Sequence, residues 1–218
     1  YIVMKKILVL AAHPDDETLG CGATIAKLSN ENHEIHLLTF TDGESSRGTK
    51  KFNRNESLKK VSKILGISSF NSGNFPDNKM DTMPLLDICK FIEKEIKFSP
   101  DIIFTHHPDC LNVDHKIVYN SALTVFRPLE KKNIEINCFA IPSSTEWNPL
   151  NNIKCNLYYN VEKFIEKKLQ ALKIYDKEMR PYPHPRSYDA IINNLKVCGN
   201  EVNLNYCEKF QTIRKIVL

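Results

Sequence analysis

Short apolar runs alternate with segments of helical period along this chain. Lys6 to Ala12 (KILVLAA) is a continuous apolar run, the signature of a strand covered on both faces. From Asp15 to about Asn30 the apolar positions Leu19, Ala23, Ala26 and Leu28 fall on one helical face. His33 to Thr41 reads as a second strand, closed by Asp42-Gly43. Asn55 to Leu65 is helical and stops at Gly66. Ser68 to Phe75 follows as a short strand, and Pro84 to Lys97 as a helix with proline in its first turn. Asp101 to Thr105 is a strand, Asp114 to Phe126 a helix ending before Arg127-Pro128, and Ile134 to Ile141 a further strand.

Beyond Ile141 the pattern is less regular. Leu157 to Val161 reads as a strand. Val161 to Met179 reads as one long amphipathic helix with a basic, solvated face. The stretch RPYPHPRS, Arg180 to Ser187, carries three prolines that forbid a continuing helix. Ser187 is placed to cap a helix over SYDAIINNL, and Glu208 to Val217 fits either a strand or a helix. This alternation predicts an α/β protein: a Rossmann-like, three-layer fold with a mostly parallel sheet. In such sheets ligands bind outside the carboxyl ends of the strands. Two polar clusters, HPDDE and HHPDCLNVDH, each follow a predicted strand, so both are expected on one rim.

The 218 residues suit a single domain over 1–218, with a catalytic rim in 7–147 and a C-terminal strand, helix and proline-rich loop in 148–218. A 42% hydrophobic fraction supplies a large core and excludes disorder. Net charge is only +4, with Lys and Arg spread along helices, which argues against nucleic acid as a partner. Seven cysteines show no C-x-x-C pair and read as buried, reduced thiols; Cys110 stands apart because it lies inside a polar cluster. No stretch is long and apolar enough for a membrane span, and no signal peptide is evident, so a cytoplasmic protein is expected. The sequence leaves a homo-oligomer open.

Three carboxylates and an imidazole directly after a strand admit two readings. One is an acidic helix start favoured by the helix dipole. The other is a metal site. His13 and Asp16 can aim at one point from a strand-to-helix turn, and His115 on the second rim loop offers a third ligand. Two histidines and a carboxylate with an open position match a catalytic zinc site, and also suit Fe2+. Asp15, beside a ligand but free of the metal, is placed to move a proton, and Asp114 to orient a metal-bound imidazole.

The segments AAHPDDETLGCGATIAKL, TDGESSRG, THHPDCLNVDH and PSSTEW together resemble the PIG-L/LmbE-like de-N-acetylases, a family of zinc hydrolases acting on N-acetylglucosamine units. The resemblance covers Ile7 to about Trp147 and extends less surely through ALKIYDKEMRPYPHPRS. It implies an LmbE-like fold, Zn2+ on His13, Asp16 and His115, Asp15 as general base, and hydrolysis of the N-acetyl amide of a small amino-sugar substrate. One position departs from the family. Many members carry H-x-D-H, whose first histidine assists at the carbonyl or donates a proton; here the stretch is Asn112-Val113-Asp114-His115. Asn112 donates a hydrogen bond but transfers no proton near neutral pH. His106, His107 and His184 are the candidates to fill that role, with His184 between two prolines the foremost. Candidate substrate contacts are Arg47, Asp77, Asn78, His106 and Asn112, and Trp147 is either a stacking surface or core. Two alternatives accompany this reading: hydrolysis of another N-acyl group, such as formyl, or of a nucleotide-linked sugar; and a non-catalytic sugar- or nucleotide-binding protein.

Overall fold

The chain is described by a computed structural model covering residues 3–43, 54–129 and 132–218. Strand β1 (Lys6–Ala11) is buried from Ile7 onward, which places it inside the sheet. Its side chains alternate between two cores. Ile7, Val9 and Ala11 pack with Leu19, Leu58 and Leu172 on one face, while Leu8 and Leu10 pack with Met80, Ile88 and Val118 on the other.

The remaining strands are β2 (Glu34–Thr41), β3 (Ser69–Phe75), β4 (Ile102–His106), β5 (Glu135–Phe139), β6 (Leu157–Asn160) and β7 (Cys207–Lys215). They form one seven-stranded sheet in the order β3-β2-β1-β4-β5-β7-β6. The first five are parallel, and β7 runs antiparallel to both β5 and β6. From β1 the chain moves outward to β3 and then returns to β4 on the other side of β1. The crevice between the ends of β1 and β4 is therefore the switch point where open α/β sheets bind ligands. The α/β, mostly parallel reading of the sequence holds.

Helices α1 (Asp16–Asn30), α2 (Arg54–Leu65) and α5 (Ile165–Ile174) cover one face, and α3 (Leu85–Glu95) and α4 (Val113–Val125) the other; α6 (Tyr188–Asn200) packs beside β7. Helix α1 is kinked at Cys21 (φ −147°, ψ 23°). The amides of Ala23 and Thr24 instead donate to the Glu208 carboxylate of β7, at 3.2 and 2.7 Å. Lys168 of α5 completes the arrangement, donating to Glu208 Oε1 at 2.6 Å and to Leu19 O at 2.9 Å. Just before the kink, Gly20 lies against Phe139, and a Cβ there would sit 2.4 Å from the ring.

Two expectations are corrected. Residues 161–179 are not one helix: α5 is flanked by 3-10 turns at Glu162–Phe164 and Asp176–Glu178. The tighter bonds Phe164 N→Val161 O and Tyr175 N→Leu172 O accompany burial of Val161 and Tyr175, which a uniform surface helix would not give. Nor is the basic face wholly solvated, because Lys168 is buried. The open choice at the C-terminal end resolves as strand β7.

Candidate metal centre and active site

The site begins where β1 leaves the sheet. His13 to Asp16 form a tight turn in which Asp16 N donates to His13 O, and His13 N donates to Asp16 Oδ2 at 2.9 Å. Asp15 takes a φ of 129°, a conformation that costs a non-glycine residue about 1–3 kcal/mol. Its amide donates to the buried Glu17 carboxylate at 3.0 Å. Burial first, together with the nearby Asp15 charge, pushes the Glu17 pKa up to about 7 despite hydrogen bonds from Thr18 and the Asp15 amide. The acidic cluster thus divides. Asp16 faces the histidines, Asp15 faces Arg186 at 3.5 Å, and Glu17 supports the turn.

Across the crevice, α4 delivers His115. Asn112 caps this helix, its side-chain oxygen accepting from the Asp114 amide at 2.8 Å. Three atoms then converge: His13 Nδ1 to Asp16 Oδ2 at 3.1 Å, His115 Nε2 to Asp16 Oδ2 at 3.2 Å, and His115 Nε2 to His13 Nδ1 at 3.2 Å. Ligands about 2.0–2.1 Å from a tetrahedral ion lie about 3.3–3.4 Å apart, so this triangle fits a single ion. The outer nitrogens have partners that suit the tautomers the fit requires. His13 Nε2 faces Asp114 Oδ2 at 3.0 Å and Asp77 Oδ1 at 3.2 Å, while His115 Nδ1 faces Cys110 Sγ at 3.0 Å. With a proton on each outer nitrogen, both inner lone pairs and a carboxylate oxygen point at one spot. His13, Asp77 and Asp114 also gather ligand-type atoms within 4.8 Å. One N–H at His13 Nε2 satisfies that second set.

The electrostatics agree with a seat for a cation. Burial opposes a charge on His13, but hydrogen bonds to Asp114, Asp16 and Asp77 outweigh it and hold its pKa well above the ordinary range. Burial likewise opposes a charge on His115, and Asp16 and Cys110 overcome it, pushing the pKa up to about 9. Asp16 lies well below the usual range: burial acts upward, but the charges of His115 and His106 dominate. Burial would raise Cys110, yet its contacts with His115 and Ser144 bring it down to about 7.

Above the cluster lies a cavity of about 60 Å³, walled by Asp15, Asp77, Asn78, Asn112, Ser144 and Arg186. Of the residues singled out in the sequence, His13, Asp15, Asp16, Asp77, Asn78, Asn112, Asp114 and His115 meet here. Their placement sharpens several expectations. Asp114 faces His13, the candidate ligand across the crevice, and not its neighbour His115; it also accepts from the Asn78 and Met80 amides. Asp77 shares the His13 contact, and Asn78 Oδ1 accepts from Asn112 Nδ2.

The candidate replacement histidines do not reach the cavity wall. His106 is fully buried beneath it, accepts the Ala12 amide at Nε2, and stacks on His115 with ring centroids 3.9 Å apart. His107 is engaged at both nitrogens, with Gln211 and the Asp109 amide. His184 accepts the Arg186 amide and packs edge-on against Trp147, which is itself 53% exposed and outside the core. Arg47 lies outside the described residues. The residues missed in the sequence are Arg186 and Ser144. The sequence signal for Arg186 is the stiff RPYPHPRS loop that also holds His184.

The sequence pattern of the PIG-L family, described as GlcNAc-PI de-N-acetylase, matches residues 8–126. The protein named uncharacterized deacetylase YaiS of Escherichia coli is 33% identical over 132 residues, covering 57% of this chain and 70% of that protein. Diacetylchitobiose deacetylase of Thermococcus kodakarensis is 31% identical over 120 residues, covering 49% of this chain and 45% of its own length. A conserved protein from Thermus thermophilus, of solved structure, shares the fold with a TM-score of 0.76 at 21% identity, over 99% of this chain and 97% of its own. Among the described residues no helix is long and apolar enough to cross a membrane. The matched segment contains both rim loops and every atom of the converging triangle, and the chain belongs to the PIG-L family.

Proposed function

We propose that this chain is a metal-dependent hydrolase that removes the N-acetyl group of an N-acetylglucosamine-type amino sugar or its conjugate. Zinc is the ion proposed, held by His13 Nδ1, Asp16 Oδ2 and His115 Nε2. The observation that carries the reading is the convergence of these three atoms at 3.1–3.2 Å beside Asp15, a carboxylate outside the triangle. The deacetylase names of the relatives support it. Such an ion with an open position polarises an amide carbonyl and acidifies water.

Asp15 takes the proton of the attacking water and returns it to the departing amine. Asp114 and Asp77 hold the His13 ring, and Cys110 holds that of His115. Asn78 and Ser144 present polar groups to sugar hydroxyls from the wall. The acyl group is proposed to enter the cavity of about 60 Å³ above the three ligand atoms, with the sugar resting at its mouth. All seven cysteines are free, which supports a reducing, cytoplasmic setting.

The test is a panel of N-acetylated sugars, including disaccharide and nucleotide-linked ones, assayed for amine release with and without chelator. Elemental analysis distinguishes zinc from iron(II), which the same ligands suit. Asp15→Asn should keep the metal and lose about 10²–10⁴-fold in turnover. Undiminished turnover in that variant removes Asp15 as the base. A metal-loaded protein that releases no amine from any member of the panel rejects the reading.

A further inference from the structure

Arg186 reaches the cavity from the C-terminal part of the chain, far from both rim motifs. Its Nη1 stands 3.5 Å from Asp15 Oδ2, and both side chains are largely buried, at 17% and 5% exposure. Its Nε donates to Pro142 O at 3.3 Å, on the loop after β5. The backbone behind it is braced: Arg180 N donates to Arg186 O, Arg186 N to His184 Nδ1, and Ser187 N to His184 O. Ser187 then caps α6 by accepting from the Ala190 amide at 3.1 Å. Prolines at 181, 183 and 185 stiffen the span. The guanidinium is thus presented by scaffold, not by a free side chain.

The charge pattern explains what such a cation does there. Among the described residues walling the cavity, Arg186 is the side chain with a permanent positive charge. Asp16 is engaged by His13 and His115, and Asp77 faces His13. Asp15 lies next to the triangle on a strained turn. A carboxylate beside a dication tends to swing in as a further ligand, and in doing so ceases to be a base. A fixed guanidinium 3.5 Å from Asp15 Oδ2 opposes that swing.

We propose that Arg186 is the positioning residue for Asp15, holding the carboxylate aside from the metal ligands and aimed into the cavity. The proposal rests on the reading of Asp15 as the base. It makes the proline-rich loop part of the catalytic apparatus and assigns that loop a function of its own.

The test combines a structure with kinetics. In a crystal structure of metal-free Arg186→Met, the Asp15 carboxylate should move by about 1 Å or more while His13, Asp16 and His115 keep their places. In the metal-loaded enzyme, kcat should fall about 100-fold with KM and metal content near wild type, the cost of a catalytic group misplaced by about 1 Å. Arg186→Lys should restore part of the loss. Should Arg186→Met fail to fold, Arg186→Lys carries the test: a single nitrogen replaces the separate Nε and Nη1 that face Pro142 O and Asp15, so the fixed fork is lost and kcat should fall about tenfold with KM kept. An Asp15 carboxylate unmoved in the variant structure overturns the proposal, as does an unchanged kcat or a change in KM alone. Wild-type protein inactive on every N-acetylated sugar overturns the functional reading instead, and the crystallographic comparison still decides the position of Asp15.

Discussion

Replacing Asp114 by Asn should weaken metal binding about tenfold, and the geometry says why the effect is not larger. Asp114 is fully buried, and its Oδ2 faces His13 Nε2 at 3.0 Å. A carboxylate in this position fixes the tautomer that turns the Nδ1 lone pair toward the metal. Loss of such a partner typically costs about 10–100-fold in affinity. Asp77 Oδ1 lies 3.2 Å from the same nitrogen and remains in the variant, so the lower end applies. Tenfold is about 1.4 kcal/mol. The double variant Asp77→Asn/Asp114→Asn removes both charges and should lose about 100-fold, or about 2.8 kcal/mol. Stability needs a separate measurement. Asp114 also accepts from the Asn78 and Met80 amides through its two oxygens, whereas asparagine has one oxygen to offer. One buried amide loses its partner, at about 1–3 kcal/mol of folding free energy. The assay is competition with a chromophoric chelator, read on protein confirmed as folded by its thermal midpoint. Folded Asp114→Asn binding metal as tightly as wild type would refute the orienting role, and a double variant no weaker than the single would refute the sharing.

Other expectations follow from the same geometry. Metal affinity should rise with pH up to about 9, because His115, at about 9, and His13, held above its ordinary range, must release protons as the ion binds; constant affinity over that range in the same chelator assay rejects it. Lys168→Met should cost about 3–5 kcal/mol in urea unfolding, since it strands the buried Glu208 carboxylate; Lys168→Met/Glu208→Gln should recover part of the loss, and a cost below about 1 kcal/mol in the single variant would show that the pair is not what holds the kink. Gly20→Ala should destabilise by about 1–3 kcal/mol, because its Cβ would lie 2.4 Å from Phe139; adding Phe139→Leu should relieve the overlap, and wild-type stability in Gly20→Ala would mean that α1 shifts freely on β5.

Much of this protein was legible before its structure. The uninterrupted apolar runs KILVLAA and DIIFT predicted buried parallel strands, and β1 and β4 are central neighbours. Helix α1 buries Leu19, Ala23, Ala26 and Leu28, the positions that the helical period selected. The residue types after each strand named the three candidate ligands and the candidate base. The harder features involve partners distant along the chain. That Asp114 reaches His13, although His115 is its neighbour, depends on where α4 begins relative to β1. The break of 161–179 into α5 and two tight turns reflects what Val161 and Tyr175 meet in the core. Cys110 attracted notice by its position in a polar cluster, but its contact with His115 needed coordinates.

By itself the sequence determined the α/β alternation, the two polar turns on one rim and the chemical types of the converging side chains. These follow from side-chain periodicity, chain-breaking residues and the capping chemistry of neighbours, all interactions of short range along the chain. Tertiary structure alone decided which nitrogen of each histidine faces inward, that β7 enters antiparallel between β5 and β6, and that a proline-rich loop brings Arg186 to Asp15. Those outcomes depend on which surfaces bury one another and on polar contacts between residues far apart along the chain, such as the Asp15–Arg186 ion pair (186 − 15 = 171 positions) and the Ala23–Glu208 hydrogen bond (208 − 23 = 185 positions), and no local pattern encodes such a distance.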